Sequence, residues 1–163
     1  MQIKSKLTNR EGKTLEVVYR DVESISELGE RKVSSVKGYC FFGDKLVVVY
    51  SGANKFWTLA GGGVEKGESP EEGLIREVKE ETNMEVLAIK LVGFQDVYEP
   101  TRVVTQARYV CIVRPFGPFT IDPDGDVTEI KLIEPKDYKS YFDWGIVGEH
   151  LIERALEVRR EMT

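Results

Sequence analysis

The segment Ala60-Gly61-Gly62-Gly63-Val64 is followed within a few residues by a stretch that must form a helix with three carboxylates on one side. Ser69-Pro70-Glu71-Glu72 reads as the helix start. Ser69 suits the N-cap, Pro70 the first helical position, where its missing N–H costs nothing, and Glu72 completes a capping box. At about 100° per residue, Glu77, Glu80 and Glu81 fall within an arc of about 100°. Like charges three and four residues apart destabilise a helix by about 0.2–0.5 kcal/mol per pair. Such a face calls for a countercharge, and a hard divalent cation held by oxygen ligands is the natural one. A merely solvated helix would interleave its acids with bases. Arg76 can pair with Glu72 or Glu80, but the three glutamates have too few basic neighbours to neutralise them all.

The same stretch predicts how the helix sits. Leu74, Ile75 and Val78 form the apolar side that packs on the body of the protein. Gly73, inside the helix, costs about 1 kcal/mol against alanine, which points to close backbone packing there. Asn83 suits the left-handed position that ends a helix, so the helix runs over 70–82.

Around it, the pattern predicts strands over 14–19, 33–42, 45–50 and 56–59, with Gly43-Asp44 as a hairpin turn. Further strands follow over 85–94, 105–113 and 127–133, with a loop over 95–102 and a short helical turn over 137–141. An amphipathic helix over 146–162 closes the chain, with Val147, Leu151, Ala155, Val158 and Met162 on one stripe. Its 163 residues are expected to form one domain, 1–163, with a real core.

Composition excludes several classes. A net charge of −5 argues against a nonspecific nucleic-acid surface. No apolar run is long enough to span a membrane and the N-terminus lacks a signal-peptide core, so a cytoplasmic protein is expected. Cys40 and Cys111 lie in apolar strand-like runs without metal-ligand spacing and read as buried free thiols. Asp122-Pro123-Asp124-Gly125-Asp126 has its glycine at the wrong offset for a calcium loop and reads as a surface turn. His150 has no partner that the sequence identifies and reads as solvent-facing or lightly packed. Trp57 reads as core; Phe94 and Tyr98 lie nearer a loop able to reach a ligand, where aromatic residues are also ordinary core.

Gly62, Glu68 and Arg76-Glu77-Val78-Lys79-Glu80-Glu81-Thr82-Asn83-Met84 stand at the spacing of a known motif. Residues 62–84 resemble the Nudix box, Gly-x5-Glu-x7-Arg-Glu-U-x-Glu-Glu-x-Gly-U with U aliphatic. Every fixed position agrees except Asn83, where the family usually has glycine. Ala60 also departs, since many relatives carry proline there. The resemblance implies an α/β/α sandwich around a mixed sheet and hydrolysis of a diphosphate linkage with Mg²⁺ or Mn²⁺. It implies Glu77, Glu80 and Glu81 as metal ligands, with the backbone carbonyl of Gly62. Arg76 would hold a catalytic glutamate in orientation, and Glu68 would play a supporting part. The general base would be a box glutamate, Glu80 or Glu77, or else Glu129, since relatives often have a functional glutamate just before the last strand. The implied substrate is a nucleoside diphosphate linked to another moiety: ADP-ribose, a nucleotide sugar or a nucleoside triphosphate. Pro100 lies near where some ADP-ribose hydrolases carry a proline, and the first predicted strand offers a surface for a homodimer. The alternative is a nucleotide-binding or sensing domain that does not cleave. Such domains usually lose box carboxylates, and here all are present.

Overall fold

The computed structural model describes residues 1–9 and 11–162. Its strands are β1 (Gln2–Thr8), β2 (Thr14–Asp21), β3 (Val33–Phe42), β4 (Lys45–Ser51), β5 (Phe56–Thr58), β6 (Ala60–Gly63), β7 (Met84–Tyr98), β8 (Val103–Pro115) and β9 (Val127–Ile133), and its helices are α1 (Pro70–Thr82) and α2 (Gly145–Met162). They build one sheet in the order β1-β2-β7-β8-β3-β4-β5, with β6 paired to β3 and β9 to β4. β3 and β8 run parallel, whereas β7 and β8 are antiparallel, so the sheet is mixed.

Successive side chains of a strand point to opposite faces, and β8 shows what each face holds. Ala107, Tyr109, Cys111 and Val113 join a cluster with Leu74 and Val78 of α1. Val110 joins the other cluster, with Val147, Leu151, Ala155 and Val158 of α2. One helix covers each face, which is the expected sandwich. Among the described residues no helix is long and apolar enough to cross a membrane.

Four details differ from the sequence reading. β1 is an additional edge strand, whose Ile3 and Leu7 pack inward while Lys4 and Lys6 alternate with them. Lysine on an edge strand blunts edge-to-edge pairing, and it also hides the strand from a hydrophobicity pattern. β7 and β8 extend through most of the expected loop, leaving only 99–102 as the turn. The polar residues that suggested a loop are satisfied inside the sheet. Asp96, 1% exposed, accepts from Thr105 Oγ1 at 2.7 Å and from Arg31 Nε at 3.0 Å, a partner 65 residues away in sequence. Ile75 is exposed, because it lies about 100° round the helix from Leu74, on the solvent side of the first turns of α1. His150 has a partner after all: its Nε2 lies 2.8 Å from Asp21 Oδ1, and its ring packs edge-on against Tyr19. Cys40 and Cys111, both buried and free, face one another across the β3–β8 ladder.

Candidate active site

α1 begins and ends as its residues dictate. Ser69 Oγ accepts from the Glu72 N–H at 3.1 Å while Glu72 Oε1 accepts from the Ser69 N–H at 3.0 Å, closing the capping box. Asn83 ends the helix in the left-handed region (φ 56°, ψ 41°), with its N–H bonded to the Lys79 carbonyl at 3.0 Å. Gly73 lies against the incoming loop, where a Cβ would stand 3.0 Å from Glu68 Oε1. These constraints set the direction in which the carboxylates project.

The glycine loop is itself a strand. β6 pairs with β3 through Val36↔Gly62 and Lys37↔Gly61. This brings the loop backbone against α1, and a Cβ on Gly62 would come within 2.8 Å of Glu77 Oε1. Only glycine lets that carboxylate lie so close to the chain. On the neighbouring residue, the Gly61 N–H donates to Glu81 Oε1 at 2.8 Å.

Arg76 is the centre of the cluster. Its Nε and Nη2 grip Glu68 side-on at 2.7 and 3.0 Å, Nη2 also reaches the Gly63 carbonyl at 3.1 Å, and Nη1 donates to Glu77 at 3.0 Å and Glu80 at 3.3 Å. The pairing with Glu80 was foreseen from sequence; that with Glu72 does not form, because Glu72 serves the cap. Bidentate contact with the guanidinium, followed by the Glu65 N–H, holds the Glu68 carboxyl down at about 2. The other acids are short of countercharge. Burial pushes Glu81 up to about 7, and burial also raises Glu77 despite its bond to Arg76.

Lys37 is a site residue that the sequence reading did not single out. It projects from β3, donates to the Leu59 carbonyl at 3.2 Å, and is held down by burial against the pull of Glu81. A lysine inside the apolar run 33–42 was the available signal. Glu129 is exposed on β9, opposite Tyr50 of β4.

In this arrangement no three acidic, histidine or cysteine side chains among the described residues converge as a metal-binding group. Arg76 engages Glu77 and Glu80, and Glu81 is turned to Gly61. The donors nevertheless fit a hard divalent cation. All are oxygens, two are partly buried carboxylates with raised pKa values, and the Gly62 backbone lies against one of them. A cation there would favour the ionised form of Glu77 and Glu81.

A family model described as NUDIX domain matches residues 33–154. No curated protein matches the chain in sequence. Among solved structures, the chain is similar to the pyrophosphohydrolase BsRppH of Bacillus subtilis, at 18% identity and TM-score 0.68, covering 97% of each chain. It is also similar to the NUDIX domain of Shewanella oneidensis NrtR, solved with ADP ribose, at 17% identity and TM-score 0.60, over 86% of this chain and 94% of that one. An ADP-ribose pyrophosphatase of Streptococcus suis matches at 19% identity and TM-score 0.52, over 77% of this chain and 90% of the other. At these identities the structural likeness speaks to the fold.

Proposed function

Because the chain belongs to the Nudix family, we propose that it is a pyrophosphohydrolase that uses a divalent cation to cleave the diphosphate linkage of a nucleoside diphosphate joined to another moiety. ADP-ribose, nucleotide sugars and nucleoside triphosphates make up that substrate class. The observation that carries this reading is the acidic side of α1, packed against the Gly61-Gly62 backbone and short of countercharge.

Glu77, Glu80, Glu81 and the Gly62 carbonyl are the residues that would hold Mg²⁺ or Mn²⁺. When bound, such an ion neutralises diphosphate oxygens and lowers the pKa of a bound water. Arg76 keeps Glu77 and Glu80 oriented by charge-assisted hydrogen bonds, and Glu68 keeps Arg76 in place. A box glutamate, Glu80 or Glu77, takes the proton from the attacking water; Glu129 is the competing assignment. Lys37 adds a positive charge beside Glu81 and Glu77, where the substrate's negative oxygens would lie. The reading takes the whole chain as one catalytic domain in the cytoplasm, with a small-molecule nucleotide as its partner.

The test is purified protein against a panel of nucleoside diphosphate derivatives, with Mg²⁺ or with excess chelator. Release of a nucleoside monophosphate and a phosphorylated remainder is expected with Mg²⁺ and not with chelator. Full activity in chelator ends the metal-dependent reading. Nucleotide binding with no turnover across the panel replaces hydrolysis with the sensing role, which the likeness to an ADP-ribose-bound NUDIX domain keeps in view.

A further inference from the structure

Backbone pairing sets Lys37 of β3 beside the acidic cluster. Lys37 lies opposite Gly61 of β6, and the Gly61 N–H donates to Glu81 Oε1 at 2.8 Å. Lys37 Nζ donates to the Leu59 carbonyl at 3.2 Å, and Leu59 and Gly61 are two residues apart, at most about 7 Å along the chain. The ammonium and the Glu81 carboxylate are thus anchored to one short stretch of backbone. No carboxylate among the described residues is close enough to Lys37 Nζ to form an ion pair, so the ammonium stands near the cluster without being bound to it. Of its three donors one is taken by Leu59, and the side chain is only half-buried, which leaves two for a ligand.

The surrounding charges give this placement a direction. Arg76 is engaged by Glu68, the Gly63 carbonyl, Glu77 and Glu80, and Lys37 is the basic side chain that acts most strongly on Glu81. On the adjacent strand Lys37 faces a second cation, Arg108, which is 5% exposed, forms no ion pair among the described residues and has no partner at Nε. Glu81 and Glu77 favour the charge on Lys37 and Arg108 opposes it. Two adjacent cations with no acid paired to either call for an anion beside the carboxylates.

Lys37 therefore opposes a divalent ion that arrives alone. A unit charge and a doubly charged ion several ångströms apart repel enough to change an affinity about tenfold even at the dielectric constant of water. The same ammonium attracts an ion that arrives carrying a diphosphate, because the negative oxygens accept charge-assisted hydrogen bonds from its free donors. We propose that Lys37 makes cation binding conditional on the anionic substrate: the free ion is held weakly, and the ion and the diphosphate bind as one complex.

The inference rests on the cation site proposed above, and it is tested by binding rather than turnover. Two ligands are titrated into wild type, Lys37→Met and Lys37→Gln. One is Mn²⁺ alone, followed by the electron paramagnetic resonance of the free ion. The other is the Mn²⁺ complex of methylenediphosphonate, a diphosphate analogue whose bridge cannot be hydrolysed, followed by calorimetry. Lys37→Met should bind free Mn²⁺ about tenfold more tightly than wild type and the complex about tenfold more weakly. Lys37→Gln, which keeps a donor for the Leu59 carbonyl without the charge, should shift both affinities in the same opposed directions. A lysine that merely tied β3 to Leu59 would leave Lys37→Gln like wild type, or would move both affinities one way as the site loosened. Either of those results, or unchanged affinities in Lys37→Met, overturns the inference and leaves the hydrolase reading standing. Mn²⁺ binding by none of the three proteins, with or without the diphosphonate, overturns both. Opposed shifts in a protein that turns over no nucleotide keep the inference and remove the hydrolase.

Discussion

On the α1 face three carboxylates crowd one side of a helix; Arg76 of the same helix donates to Glu77 and Glu80, while Glu81 accepts, among the described residues, only from the Gly61 N–H. On the α2 face the acid Asp21 is instead surrounded by donors drawn from across the chain. Tyr19 Oη donates to it at 2.9 Å, His150 Nε2 lies at 2.8 Å, Arg154 Nε at 3.4 Å and the N-terminal amine at 3.8 Å. One face is left short of positive charge and the other is over-supplied around one acid. The structural acid has been satisfied by tertiary contacts, whereas the cluster on α1 keeps a deficit that a cation or substrate-bound ion would fill. On the proposed hydrolase reading, uncompensated charge rather than charge as such sets the α1 face apart.

The largest expected effect tests that deficit directly. Glu80→Gln should lower turnover about 10²–10³-fold, the loss typical of removing one preorganised electrostatic contact, while the melting temperature holds or rises as like-charge repulsion is relieved. Glu129→Gln, on β9, should change kcat little if a box glutamate is the base. A Glu129→Gln enzyme slowed a hundredfold or more with an unchanged Mg²⁺ titration would move the general base to β9 and break the contrast between the faces.

Next comes the satisfied acid. Asp21→Asn weakens the contacts of Tyr19, His150 and Arg154 together and should cost about 2 kcal/mol of stability by denaturant titration, with kcat unchanged. Loss of turnover at full stability would show that the α2-face acid has a chemical role.

Smaller in scale is Asn83. Asn83→Ala places a Cβ-bearing residue without a polar side chain at φ 56° and should cost about 1 kcal/mol, whereas Asn83→Gly should be near neutral. Equal stability of both variants would mean that the helix end is held by something other than its left-handed cap.

The smallest effect is set by pH. The Glu68 carboxyl lies at about 2 against an ordinary 4.5, so its pairing with Arg76 stabilises the fold fully above about pH 4.5 and is lost as pH falls through about 2. Wild type should therefore lose melting temperature over that window more steeply than Glu68→Gln. Parallel decline of the two proteins would mean the pair contributes nothing to the acid limb, as exposed pairs often do.

Local chemistry alone determined much of this molecule. The cap at Ser69, the left-handed Asn83, the tight approach at Gly73 and the face shared by Glu77, Glu80 and Glu81 are set by residues within a helical turn or two of one another. The alternating strands and the stripe of α2 were legible for the same reason, since their periodicities lie along the chain. What only the tertiary structure decided depends on partners far apart in sequence. Asp96 reads as a loop residue until Arg31 and Thr105 are brought to it, and His150 reads as solitary until Asp21 arrives from the other end of the chain. Lys37 and Arg108 look like ordinary interruptions of apolar strands. Their placement side by side on the β3–β8 ladder, one beside carboxylates and the other beside none, exists only once two parallel strands pair across a crossover connection. Burial turns the same charged residue from a solvated side chain into an unmet donor, and burial is a property of the assembled sheet and its two helices, not of any segment within it.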